Sequence, residues 1–161
     1  MELFGKYNMS VNRIRSLAIQ CHALDLSAYH LLVDSTHHDT DATSKVLYTE
    51  LLTEQLLTLA IAIRTKFYQG TPHDDTAGYV QHCGLFYRYK GGAEEPALFT
   101  IKDICDKIIH ADSVSKFLEN GIEKATITLR GKQRDVEWEL GFSVNLFCEG
   151  VLNWLQGIHE D

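Results

Sequence analysis

The residues best suited to chemistry lie along one short segment, from Ile101 to Ala111. At roughly 100° of rotation per residue, a helix here places isoleucine and cysteine on one side and ionisable side chains on the other. On the ionisable side, His110 lies one helical turn from Asp106 and two turns from Asp103. A histidine held beside a carboxylate can act as an acid or a base near neutral pH. The alternative is a solvated helix face with an ordinary Asp–His pair, and the sequence favours neither.

A second candidate is Arg64, a charge that follows five apolar residues near the predicted end of the second helix. A buried charge requires a partner, so Arg64 could pair with Asp103 or Asp106 on the third helix. Alternatively, Arg64 lies at the helix C-terminus, where a cation complements the helix dipole, and the sequence favours this simpler explanation. If pairing occurs, Arg64, Asp106 and His110 form a catalytic cluster able to hold a phosphate and move a proton. The same helix face supplies the candidate ligand-binding residues, Lys102, Asp103 and Lys107.

Two further clusters contain residue types that bind metals, but both lie in predicted loops. They are His37-His38-Asp39 with Asp41, and His73-Asp74-Asp75 with His82. Neither has the helical spacing of two histidines found in zinc hydrolases, and the sequence has no glycine-rich phosphate loop or nucleophile motif. We therefore predict no metal and no cofactor, and a metal-dependent enzyme is the least favoured alternative.

Helices are predicted to position these residues, because apolar side chains recur at three- and four-residue spacing. Thr100 and Asp103 form the pattern of a capping box, and Ser143 can cap a final helix. Alternating apolar residues predict a hairpin that turns around Gly131 to Arg134. The predicted helices span about 10–34, 43–68, 100–118 and 143–156, and the hairpin about 125–141.

The predicted fold is mainly α, an up-and-down helical bundle of about four helices with a β-hairpin inserted before the last helix. One domain is expected over residues 1–161, since a chain of this length can bury a sizeable core. Residues 70–98 are a long connection, of a kind that is often functional, in which residues 85–89 predict a short strand or a helical turn.

Composition restricts the partners. The formal net charge of −7 disfavours extended duplex binding, although local basic clusters, such as Arg88 with Lys90 and Arg130 through Arg134, allow a small phosphate-bearing ligand or a short single strand. The four widely spaced cysteines are expected to pack as reduced side chains. No stretch reaches the roughly 18 apolar residues of a membrane span and no signal peptide is recognised, so we predict a cytoplasmic protein without membrane contact.

The segments Ala60-Ile61-Ala62-Ile63-Arg64 and Ile104-Cys105-Asp106-Lys107-Ile108-Ile109-His110-Ala111 resemble those of HEPN-like domains. This resemblance implies a helical homodimer that binds RNA or a nucleotide, and a metal-independent ribonuclease of a stress or defence system. It makes His110 the catalytic histidine and Asp103 or Asp106 the polar residue of the motif. The arginine of the motif is matched only by Lys102, so Arg64 would have to supply the cation.

A different class of function is also open. The acidic balance and the incomplete motif favour a non-catalytic homodimeric interaction module, in which the third helix and the hairpin contact a second copy or a protein partner.

Overall fold

The computed structural model describes residues 7–33, 42–69, 83–90, 94–95, 99–119 and 122–158. Four helices and five strands are found in these ranges. In chain order they are α1 (Val11–Leu32), α2 (Ala42–Tyr68), β1 (Gly84–Arg88), β2 (Glu94–Glu95), α3 (Ile101–Ile109), β3 (Ser113–Glu119), β4 (Ile122–Gln133), β5 (Val136–Phe142) and α4 (Val144–Gln156).

The fold is mixed, with four helices beside an antiparallel sheet of strand order β2-β1-β5-β4-β3. The four predicted helices and the hairpin before the last helix are confirmed. The prediction of a simple helical bundle is too narrow, because β1 and β3 extend the hairpin on both sides into a sheet. Of the two alternatives for residues 85–89, the strand is the one observed.

The predicted third helix, 100–118, is wrong beyond Ile109, since Ser113–Glu119 forms β3 and pairs with β4. Val114 and Phe117 have the three-residue spacing of a helix, which concealed the strand. In the strand, Val114 and Lys116 are partly buried while Phe117 is exposed, as the two-residue period requires. The inward position at Lys116 is held by an ion pair instead of an apolar contact, so the alternation was not visible in hydropathy.

Helices cover one face of the sheet. On β5, Trp138, Leu140 and Phe142 are buried and alternate with more exposed residues, the pattern of a sheet with one solvated face. The rings of Phe142 and Phe147 meet edge to face at 5.8 Å and join β5 to α4. Each fully buried side chain of this kind contributes roughly 1.5–3 kcal/mol relative to its exposed state. The sheet and helices thus share one hydrophobic core.

The α1–α2 pair is the helical part of that core. Leu52, Leu56 and Leu59 of α2 are buried, and the hydroxyl of Tyr48 donates to the carbonyl oxygen of Leu24 on α1 at 2.5 Å. By length and composition α2 is apolar enough to cross a membrane, contrary to the prediction that no stretch is. Core helices of soluble proteins satisfy the same criteria, so this property alone does not indicate a membrane helix. The cytoplasmic location stays a prediction.

The hairpin turns two residues later than predicted, at 133–136 instead of 131–134. Gln133 pairs with Val136, and the two turn residues, Arg134 and Asp135, have φ of 51° and 64°. Two residues with positive φ give the turn whose twist matches the strands. Gly131 is a strand residue paired with Trp138, and a Cβ there would lie 2.4 Å from Trp138 Cζ2. The glycine therefore serves the packing of the indole ring, and not the turn.

Candidate functional site

A cavity of about 540 Å³ lies between the end of α2, the polar side of α3, and strands β1, β4 and β5. This volume is in the range of sites that hold small molecules. Its lining residues are Arg64, Phe86, Arg88, Phe99, Asp103, Asp106, Lys107, His110, Lys132, Gln133 and Trp138. The cavity therefore contains the three predicted catalytic residues and two of the three predicted ligand-binding residues.

Arg64 pairs with Asp106 at one wall of the cavity. Its Nη1 donates to Asp106 Oδ1, and its Nη2 donates to the hydroxyl of Tyr68 at 2.6 Å. The Arg64 and Asp106 side chains are 21% and 36% exposed, so the pair is partly shielded from water. The sequence favoured Arg64 as a cation at the end of α2 over its pairing with a carboxylate of α3. The pairing with Asp106 is the arrangement observed.

Asp103 has a structural task at the start of α3. Its Oδ2 accepts from the backbone N–H of Thr100 at 3.0 Å and from the Thr100 hydroxyl at 2.9 Å, while its own N–H donates to that hydroxyl oxygen at 3.1 Å. The predicted capping box is confirmed. This box fixes where α3 begins, and hence the position of Asp106 one turn later.

Lys107 lies against the aromatic wall of the cavity. Its Nζ is 4.4 Å from the centroid of the Phe86 ring and 4.5 Å from that of Trp138. A cation over aromatic faces is stabilised by their quadrupoles, which holds the ammonium in place at the cavity. Phe99 packs edge to face on Phe86 at 5.4 Å and also lines the cavity.

His110 is the C-cap of α3 and lies at the rim of the cavity with an exposed side chain. Its backbone N–H donates to the carbonyl oxygen of Asp106 at 3.1 Å. Between the side chains of these two described residues there is no hydrogen bond, because the Asp106 carboxylate faces Arg64 instead. The structure therefore brings His110 and Arg64 to the same cavity, but Asp106 does not orient the imidazole as the sequence hypothesis required.

Lys102 is exposed on α3 and does not line the cavity. Its predicted part in ligand binding has no support from this geometry. The cations Arg88 and Lys132 line the cavity instead. Lys132 is also 3.6 Å from Glu137, in a pair whose side chains are 64% and 63% exposed.

Sequence reasoning did not assign the other lining residues to the site, namely Phe86, Arg88, Phe99, Lys132, Gln133 and Trp138. Arg88 and Lys132 belong to basic clusters visible in the sequence, but nothing there joined them to α3. The missing information is strand pairing, since Trp138 lies opposite Arg88 on one side and Gly131 on the other.

The cysteines take no part in this chemistry. All four, Cys21, Cys83, Cys105 and Cys148, are buried and free, as predicted. Burial raises the pKa of the Cys83 thiol to about 11 and that of Cys105 further. A hydrogen bond with Cys21, together with burial, raises the pKa of Cys148 well above its ordinary value. A protonated thiol is a poor nucleophile, so thiolate chemistry at neutral pH is not expected.

Among the described residues, no group of three histidines, cysteines or carboxylates could hold a metal ion. The two loop clusters that contain metal-ligand residue types, at 37–41 and 73–82, lie outside the described residues.

Comparison of the chain with protein-family models, curated proteins and solved structures gave no match.

Proposed function

We propose that the cavity binds a nucleotide, with a phosphate against its cations and the base against its aromatic wall. The ligand class is the one that the HEPN-like resemblance implies, but the proposal rests on the cavity. A planar base can lie beside Lys107 and the aromatic side chains that it covers, while ammonium and guanidinium groups bind phosphate oxygens.

The observation that carries the proposal is the charge balance of the cavity. Four permanent cations line it, Arg64, Arg88, Lys107 and Lys132, against two carboxylates, Asp103 and Asp106. Both carboxylates are already engaged, one by Thr100 and the other by Arg64. A chain of net charge −7 thus gathers a net positive cavity, and local fields of this kind attract anions.

Calorimetric titration with adenosine monophosphate tests the proposal. We expect Lys107→Met to weaken binding at least tenfold, because it removes the cation nearest the aromatic wall. Lys124→Met is the matched control, since Lys124 lies 4.7 Å from the Phe117 ring, on another part of the sheet. Absence of binding to the wild-type protein, or equal loss in both variants, would contradict the proposal.

A specific observation also favours cleavage of RNA in this cavity: Arg64 and His110 both line it. In metal-independent cleavage the ribose 2′-oxygen attacks phosphorus, the bond to the 5′-oxygen breaks, and a proton passes from the attacking to the leaving oxygen. His110 would carry that proton and Arg64 would hold the phosphate.

The test of cleavage uses single-stranded RNA with and without a chelator. Chelator-resistant cleavage that is lost in His110→Ala and kept in His30→Ala supports it, since His30 is an exposed histidine on α1. Cleavage abolished by the chelator would indicate a metal-dependent enzyme. No cleavage by the wild-type protein would reject the enzymatic role and leave nucleotide binding standing.

The alternative from a different class is a homodimeric interaction module. The sequence predicts its contact surface on the third helix and the hairpin, whereas the exposed apolar side chains of α2, among them Leu47 at 58% and Leu51 at 44%, favour a contact through α2. Apolar side chains grouped on one surface often mark a protein contact.

A further inference from the structure

A second, smaller cavity adjoins the first. It has a volume of about 200 Å³ and is lined by Arg88, Gln133, Arg134, Val136 and Trp138. Arg88, Gln133 and Trp138 line both cavities, so the same side chains border the two spaces. The two cavities therefore adjoin, and the surface that they occupy from α3 to the tip of the β4–β5 hairpin is called the groove.

The second cavity is also cationic, and its positive charge is not offset by a carboxylate. Two guanidinium groups, from Arg88 and Arg134, line it, and none of its lining residues is acidic. Arg134 is set at the hairpin tip by the turn described above, where its φ is 51°. Arg88 lies at the junction, with its Cζ 5.7 Å from the Phe86 ring. The guanidinium forks suit a phosphate, which they can contact with two parallel hydrogen bonds.

A mononucleotide carries its charge at one end and leaves this second cationic position without an anion. A ligand that uses both positions needs a second phosphate separated from the first by a nucleoside. A cationic groove interrupted by aromatic side chains is the usual construction for a single strand. A duplex would need a wide basic surface, which a chain of net charge −7 does not favour.

Building on the proposed nucleotide site, we infer that the groove takes the end of a single nucleic-acid strand, with one phosphate in the first cavity and the next between Arg88 and Arg134. The base between the two phosphates lies beside Lys107 and the aromatic side chains that it covers. The second phosphate distinguishes a strand from free mononucleotides and from nucleoside diphosphates, whose two phosphates are adjacent.

Calorimetric titrations with pA, adenosine diphosphate and the dinucleotide pApA test the inference. We expect pApA to bind at least tenfold more tightly than pA, and adenosine diphosphate to bind with no such gain. Arg134→Gln should reduce the affinity for pApA to about that for pA and leave pA unchanged. It should also lower the salt dependence of pApA binding, by a slope of about 0.7 for one lost phosphate contact.

Arg130→Gln is the matched control, because Arg130 is an arginine of the same hairpin that pairs with Glu139 and lines neither cavity. Circular dichroism checks that both variants fold. If pA binds while pApA is no tighter, or if Arg134→Gln weakens pA and pApA equally, the strand inference is overturned and the nucleotide site stands. If no ligand binds, both proposals fail together.

Discussion

At the scale of single residues, Gly131 decides how Trp138 lies in the sheet. A Cβ at position 131 would be 2.4 Å from Trp138 Cζ2 and 2.8 Å from the carbonyl oxygen of His110. Both atoms belong to residues that line the cavity, and neither is the free end of a flexible chain. A methyl group here would therefore displace the indole ring or the end of α3.

We expect Gly131→Ala to lower the free energy of unfolding by about 1–3 kcal/mol, the usual cost of inserting a group into a packed site. Urea denaturation followed by circular dichroism measures it. Gly141→Ala is the matched control in β5, because a Cβ there has no atom within 4 Å. Equal stability of the two variants would show that the close approach of Trp138 to the glycine is not tight.

Burial of the thiols gives a second prediction at this scale. The pKa of Cys83 is raised from 9.0 to about 11 by desolvation, so the native thiol should react slowly with iodoacetamide at pH 8 and faster near pH 11. Because this pKa is higher in the folded chain, the stability it contributes is complete below pH 9 and is lost as pH rises through 11. Mass spectrometry measures the rate of Cys83 labelling in the native protein and in urea. Equal labelling rates in the two conditions at pH 8 would contradict the raised pKa.

How much of the site was predictable differs between residues. The capping box of Thr100 and Asp103 was fixed by local sequence, since the residues that bond are three positions apart. The Arg64–Asp106 pair was one of two alternatives, because the packing of α2 on α3 decides it. Gly131 was predicted to lie in the turn, because a glycine is equally typical of a turn and of a strand position where a neighbouring side chain comes close to the backbone. The structure shows the second case, with Trp138 as the neighbour.

At the scale of elements, α1 and β3 are joined by a buried ion pair. Lys116 Nζ donates to Asp25 Oδ1 at 2.6 Å, and the side chains of Lys116 and Asp25 are only 6% and 4% exposed. Removing one member of a buried pair takes this ion pair away from the charge that stays buried, whereas replacing both by apolar groups is often neutral.

We expect Asp25→Asn to destabilise the protein by about 3–5 kcal/mol. The double variant Asp25→Leu with Lys116→Met should be more stable than Asp25→Asn, as measured by urea denaturation. Glu137→Gln provides the exposed comparison, because its pair with Lys132 is largely solvated and should contribute less than about 1 kcal/mol. A loss in Asp25→Asn no larger than in Glu137→Gln would mean that the buried pair adds little.

This ion pair also explains why the elements were only partly predictable. The four helices and the hairpin follow from local periodicity, and their positions were close to those observed except at the end of α3, which was predicted nine residues too long. Strand β3 pairs with the next strand, β4, but its inward residue Lys116 bonds Asp25, 91 positions earlier, and no local pattern records such a contact. The pairing of β1 with β5 likewise joins distant parts of the chain, and no local pattern records it.

At the scale of the whole molecule, two surfaces have different character. The groove beside α3 is cationic and aromatic, whereas α1 and α2 expose apolar side chains, including Leu26 at 56% and Leu47 at 58%. A separate shallow depression between α1 and α2 is lined in part by Leu24 and Leu51. Two copies that meet through such a face would each cover the apolar residues of the other, as in a twofold contact.

The dimer alternative predicts that Leu51→Glu converts a homodimer into a monomer, because the contact would have to bury the new carboxylate. Light scattering coupled to gel filtration measures the mass over a range of protein concentrations. Leu146→Glu is the matched control, since Leu146 is similarly exposed, at 43%, but lies on α4. A wild-type protein that stays monomeric at every concentration would reject the dimer. Dissociation of the dimer by both variants alike would place the contact elsewhere.

The same variant tests whether the two surfaces depend on each other. If Leu51→Glu dissociates the dimer while the affinity for nucleotide is unchanged, the apolar surface and the groove act independently.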